Sequence, residues 1–199
     1  DSRYQSYFTT ASQRWAQVIT GDLPNVGSID DLQISASVVS IDGAGRILGQ
    51  ASARGVRNDT GIPYSGMMQF DVDDIQGMIE TGTFGNVVLH EMGHVLGISS
   101  YFFDRHDLLN PSNEFQYMGA NALHQYQMLT SAANTCVPIE QNGGSGTAGS
   151  HWSEGIFDTE LMTGTAENSS PMPLSVVTIG ALQDLGYSVN YAAADLFRF

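Results

Sequence analysis

His90-Glu91-Met92-Gly93-His94-Val95-Leu96-Gly97 sets two imidazoles four positions apart, with a carboxylate between them and a glycine at the end. Residues four apart lie above one another on one helix face, so His90 and His94 can aim ring nitrogens at a single metal ion. Zinc suits such a pair: a catalytic zinc takes three protein ligands and a water, and Glu91 stands where it can accept a proton from that water. The chemistry implied is peptide-bond hydrolysis. Val87, Val88, Leu89, Met92, Val95 and Leu96 surround the motif with apolar side chains. They mark a core-packed helix, starting near Phe84, with one polar edge facing a cleft. Gly97 is the expected C′ residue, because glycine takes the left-handed conformation easily and ends the helix.

Upstream, Tyr4, Phe8, Ala11, Trp15 and Ile19 recur at helical spacing and predict an amphipathic first helix closed by Gly21 and Pro24. Leu32 to Ile41 alternates, Asp42-Gly43-Ala44-Gly45 reads as a turn, and Arg46 to Arg54 resumes an extended pattern, which together predict a hairpin. Met67 to Asp71 reads as a short strand after the breakers Pro63 and Gly66, with Asp71 or Asp73 as N-cap of a brief helix through Ile79. Downstream, Tyr117 to Ser131 has helical spacing, and Gln141 to Ser150 is a glycine-dense loop ending at His151. After Pro171 and Pro173, Ser175 is the expected N-cap of a last helix through Leu185 to Gly186. No internal repeat is present.

The 199 residues suit one domain, and 21 acidic against 7 basic residues give a net charge of −14. All the basic residues are arginine. That balance argues against nucleic acid and anionic membrane surfaces as partners and suits an extracellular or salty setting, or one rich in divalent cations. Cys136 is the only cysteine, which excludes an intrachain disulfide. No apolar run reaches membrane-spanning length and the first residues do not read as a signal peptide, so any targeting or inhibitory segment is expected to lie outside this chain. A monomer is expected. Asp71-Val72-Asp73-Asp74 and Asp104 to Asp107 raise calcium as a lesser option, although capping and solvation are simpler accounts and neither run matches an EF-hand loop.

The third metal ligand is the sharpest question. In the extended motif HExxHxxGxxH a third histidine would stand at position 100, which is Ser100. His106 lies in the polar run Asp104-Arg105-His106-Asp107, and His124 lies in a predicted helix beside Gln125 and Gln127; a solvated surface role is the simpler reading of each. Glu114 follows His94 with 19 residues intervening, a spacing like that of thermolysin-type enzymes. Asn110-Pro111-Ser112-Asn113 interrupts the helix such a glutamate would ride on. His151 leads these candidates.

Four stretches resemble leishmanolysin-like metalloproteases, a branch of the metzincins: LHEMGHVLGIS (Leu89 to Ser99), GGSGTAGSH (Gly143 to His151), Glu160-Leu161-Met162, and ALQDLGY (Ala181 to Tyr187). Ile62 to Asp74 is similar to the segment preceding the zinc helix in bacterial relatives. The resemblance implies one catalytic zinc held by His90, His94 and His151, Glu91 as general base, and Met162 as the methionine of a turn beneath the metal. It also implies that the strand around Met67 to Phe70 is the edge on which an extended peptide substrate adds as an antiparallel strand. Two departures stand out. Cys136 lacks the partner cysteine of eukaryotic relatives, which points to a bacterial-type secreted enzyme. Gly164 stands where some metzincins carry a tyrosine, leaving oxyanion stabilisation to zinc.

The resulting expectation is an α+β, metzincin-like catalytic domain over residues 1–199. Its upper lobe (about 1–97) carries a twisted mixed sheet and two long helices; its irregular lower lobe (about 98–199) carries a C-terminal helix. The reaction expected is zinc-dependent endopeptidase hydrolysis without a covalent intermediate. The competing class is a secreted binding module or inactive pseudoprotease with a structural metal. Glu91 speaks against it, since a closed structural site needs a fourth protein ligand and no base.

Overall fold

Strand β3 (Pro63–Asp71) is the longest and most buried strand, and it takes the middle of a three-stranded sheet in the computed structural model, which describes residues 2–167 and 171–199. β1 (Gln33–Val39) pairs with it in parallel and β2 (Gly49–Val56) antiparallel. Gly66, Met68 and Phe70 alternate onto one buried face. The hairpin expected from Leu32 to Arg54 does not form, because β3 inserts between its two arms. β1 is mostly exposed and β2 only partly buried, and both are short of large apolar side chains, whereas β3 has buried side chains to place at the centre. The connecting loop is also anchored elsewhere. Asp71 Oδ2 accepts the N–H groups of Ile41, Asp42 and Gly43 at 2.9, 2.8 and 3.2 Å, and Asp74 Oδ1 accepts that of Gly45 at 2.7 Å.

Three smaller expectations change with this arrangement. Met67 to Phe70 is not a free edge, since β3 is paired on both sides. Pro63 and Gly66 are strand residues, not breakers. A Cβ on Gly66 would lie 2.3 Å from Val95 Cγ1, so its absence lets a helix lie directly on the sheet. The N-cap of α2 (Ile75–Thr81) is Asp74, not Asp71 or Asp73, because the Asp71 carboxylate is engaged with the loop.

α1 (Gln5–Val18) and α3 (Phe84–Leu96) are the two long helices beside this sheet. Tyr7 and Phe84 meet edge to face at 4.9 Å, Phe70 and Phe84 at 5.4 Å, and the Trp15 indole N–H donates to the Leu89 carbonyl at 3.1 Å. Residues 22–96 and most of α1 form one compact unit; residues 17–21, 97–165 and 172–199 form the other.

The second unit contains α4 (Ser100–Arg105), β4 (Leu109–Asn110), β5 (Asn113–Tyr117), α5 (Ala120–Thr130), β6 (Val137–Pro138), α6 (Glu154–Phe157) and α7 (Val176–Asp184). Phe103, Tyr117, Trp152 and Phe157 form its aromatic core. The helix expected from Tyr117 starts instead at Ala120, and Tyr117 closes β5. The reason is a cap from another helix: Asp184 accepts the N–H groups of Asn121 at 2.8 Å and Ala122 at 3.0 Å, and the Tyr117 hydroxyl at 3.1 Å. α5 and α7 touch at Gly180, where a Cβ would lie 2.7 Å from Ala122 Cα. Ser175 caps α7 as expected, its Oγ accepting the Thr178 N–H at 3.3 Å.

Candidate functional site

The zinc-motif helix forms where its sequence places it. Phe84, Val87, Val88, Met92, Val95 and Leu96 are buried, and Gly97 has φ 114°, the left-handed ending that lets the chain leave the helix. His90 and His94 sit on the remaining face, their Nε2 atoms 2.9 Å apart and their ring planes at 84°. Two imidazole nitrogens bound to one tetrahedral zinc stand roughly 3.3 Å apart, so this pair fits such an ion with a shift of a few tenths of an ångström.

Glu91, which follows His90 in the chain, is only 5% exposed. Burial pushes its carboxyl up to about 8. Its Oε2 is buried without a hydrogen-bond partner among the described residues. The carboxylate lies against β2, since a Cβ on Gly49 would come within 2.9 Å of Oε1. A buried carboxylate oxygen left unpaired is costly, and such groups concentrate where chemistry is done.

In the second unit, His151 is buried and its Nδ1 lies 2.9 Å from the Thr147 carbonyl. A carbonyl only accepts, so Nδ1 carries the proton and Nε2 is the nitrogen able to ligate a metal. Burial lowers the pKa of this imidazole, in keeping with a neutral ring. The glycine loop before it is closed by paired backbone bonds: Glu140 N–H to the His151 carbonyl at 2.8 Å and Gly149 N–H to the Glu140 carbonyl at 2.9 Å. The Glu140 side chain secures both ends, accepting N–H groups of Gln141 (2.9 Å), Asn142 (2.8 Å) and Glu154 (2.9 Å). Burial opposes ionisation of Glu140, but the N–H groups of Glu154 and Asn142 outweigh it and hold its pKa low.

Met162 is fully buried in a turn organised by Glu160. Glu160 Oε2 accepts the Met162 N–H at 2.6 Å, and Oε1 accepts the Ser175 and Thr178 hydroxyls at 2.7 and 2.6 Å. Burial raises the Glu160 pKa against the pull of those donors. The Met162 carbonyl receives the Trp152 N–H at 3.0 Å, which ties the turn to the residue after His151.

The rival ligands lie elsewhere. Glu114 is exposed on β5, a strand and not a helix, and His124 is exposed on α5. His106 is half-buried at the end of α4. None of the three belongs to a group of metal-capable side chains among the described residues. The same holds for Asp71 to Asp74 and Asp104 to Asp107, the stretches considered for calcium. Asp71 is occupied by backbone donors.

Sequence reasoning assigned no role to Glu140, Thr147 or Glu160. An acidic residue heading a glycine-dense loop is a usable signal for Glu140, because such loops offer N–H groups needing an acceptor. Glu160 has no comparable local sign, as its partners are 15 and 18 residues away.

A helix bearing an HExxH motif in an α+β chain defines the class, and similarity to known proteins gives the family. This chain belongs to the leishmanolysin family of peptidases, whose sequence profile matches residues 31–199. It is 29% identical to leishmanolysin of Leishmania chagasi over 191 residues, covering 89% of this chain and 30% of that protein. It is likewise 29% identical to leishmanolysin of Leishmania donovani over 171 residues, covering 79% and 28%. A leishmanolysin-like peptidase of Drosophila melanogaster is 42% identical over 57 residues, 28% of this chain and 8% of that one. The chain thus spans less than a third of the length of these relatives. Leishmanolysin-family proteases use zinc.

Proposed function

We propose that this chain is the catalytic part of a secreted zinc metalloendopeptidase built on the metzincin plan, with His90, His94 and His151 as the metal ligands and Glu91 as general base. The observation that carries the reading is Glu91, a buried carboxylate with an unpartnered oxygen next to two imidazoles that face one point. His151 supports it, because its Nδ1–H is donated to the Thr147 carbonyl and Nε2 is the nitrogen left to ligate. Zinc bound there supplies a Lewis acid and a water acidic enough to react near neutral pH.

The chain's own residues then divide the work. His90 and His94 bind through Nε2, and Thr147 holds His151 ready to do the same. Glu91 takes the proton of the attacking water on Oε2 and passes it to the amine nitrogen as the C–N bond breaks, so the new acid and amine balance one peptide bond and one water. The substrate is a peptide in extended form. Its strand partner is β2, not the Met67 to Phe70 strand: among the described residues β2 pairs with β3 alone, and its first residue, Gly49, lies against Glu91.

Digestion of an unstructured peptide library by the zinc-loaded protein, with and without a strong chelator, tests this. Cleavage abolished by chelation and restored by zinc supports it. A zinc-loaded protein that cleaves no peptide overturns it in favour of a binding module.

A further inference from the structure

His151 is held through the backbone carbonyl of Thr147, and the side chain of that threonine sits against two glycines. Thr147 O accepts both His151 Nδ1–H at 2.9 Å and the Ser150 N–H at 3.2 Å. The Thr147 side chain lies between two glycines. A Cβ on Gly164 would stand 2.5 Å from Thr147 Cγ2, and a Cβ on Gly143 would stand 2.8 Å from Thr147 Cβ. Both distances are far inside van der Waals contact, so a side chain at either position would displace Thr147. The Gly164 Cβ would also approach the His151 ring, at 3.9 Å from Cγ.

We infer that Thr147 is a positioning residue for the third metal ligand and that Gly164 is present to seat it. The inference rests on His151 being a ligand. It also accounts for the absence of a tyrosine at position 164: a side chain there is incompatible with the packing that fixes His151. Thr147 acts through His151. It acts by fixing which His151 nitrogen carries the proton and where the ring points, and losing such support typically weakens metal binding by roughly 10- to 100-fold.

The geometry separates the two glycines. The Gly164 conflict is with Cγ2, which Thr147→Ser removes; the Gly143 conflict is with Cβ, which Thr147→Ser keeps, and Gly143 also has φ 88°. The experiment measures zinc affinity by chelator competition, and the His151 tautomer by long-range 1H–15N NMR of the metal-free protein. The set is wild type, Gly164→Ala, Gly143→Ala, Thr147→Ser, and each glycine variant combined with Thr147→Ser.

Wild type should show His151 protonated at Nδ1. Gly164→Ala should lose roughly 10- to 100-fold in zinc affinity, Gly164→Ala with Thr147→Ser should recover most of it, and Gly143→Ala should stay impaired in both backgrounds. A His151 proton on Nε2, or an unchanged zinc affinity in Gly164→Ala, overturns the inference; so does a loss that Thr147→Ser fails to repair. His151→Ala keeps the two readings apart. If it binds zinc as tightly as wild type, the ligand assignment itself fails. If it loses zinc while Gly164→Ala does not, only the positioning role fails.

Discussion

Ser100 and Ser150 are hydrogen-bonded to each other twice: the Ser150 hydroxyl donates to Ser100 Oγ at 3.2 Å and accepts the Ser100 N–H at 3.2 Å. Position 100 is where a shorter HExxHxxGxxH motif carries its third histidine. Here that position fastens the loop that ends at His151. Gly149, with φ 82°, makes the close approach possible, since even its absent Cβ would fall 3.3 Å from Ser100 Cβ.

Ser100→Ala removes one of those bonds and leaves the other. It should lower unfolding stability by about 0.5–1.5 kcal/mol and keep one zinc per chain at saturating metal. Denaturant titration and metal analysis check both; an unchanged midpoint would mean that the hydroxyl pair does not fasten the loop.

Glu91→Ala should keep zinc near one equivalent and lose roughly 10²- to 10⁴-fold in peptidase rate, the range for a general base. Gly49→Ala should also lower kcat with zinc retained, because its methyl would fall 2.9 Å from Glu91 Oε1. A fully active Glu91→Ala enzyme refutes the mechanism.

His151→Ala should lose tight zinc binding and activity, whereas His106→Ala, His124→Ala and Glu114→Gln should each retain one zinc. Alkylation of Cys136 should leave the zinc-loaded activity unchanged. Metal analysis after gel filtration reads the first set. Zinc kept in His151→Ala and lost in Glu114→Gln would move the site to the thermolysin-like ligand set.

Asp71 predicts a pH dependence. The N–H groups of Asp73, Asp42, Ile41 and Gly43 hold its carboxyl below the ordinary value of 3.8, against burial. The folded chain therefore binds this proton less readily than the unfolded chain. The stabilisation is fully present above pH 3.8 and is lost as pH falls through the lower folded value. Asp71→Asn should be less stable than wild type at neutral pH, with the gap closing in acid. Unfolding curves at pH 7 and pH 3 measure it, and a gap that widens in acid would contradict the assignment.

What the sequence determined by itself is local. The His90–His94 pairing follows from four-residue spacing on one helix, the end at Gly97 from glycine's access to positive φ, and the α7 start from a Ser175 side chain that reaches only three residues ahead. Setting aside Ser100, His106, His124 and Glu114 left His151 as the leading third-ligand candidate, and the resemblance implied the same residue. Tertiary structure alone decided the rest. Strand order turned on which strand had the side chains to bury, so β3 displaced the hairpin that adjacent segments suggested. The partner of His151 Nδ1 turned out to be the Thr147 carbonyl, and the shape of the Met162 turn rests on Glu160 reaching Ser175 and Thr178. A carboxylate or carbonyl in the sequence does not say which distant N–H or hydroxyl will satisfy it. That choice is made only when burial removes water and leaves those partners to one another.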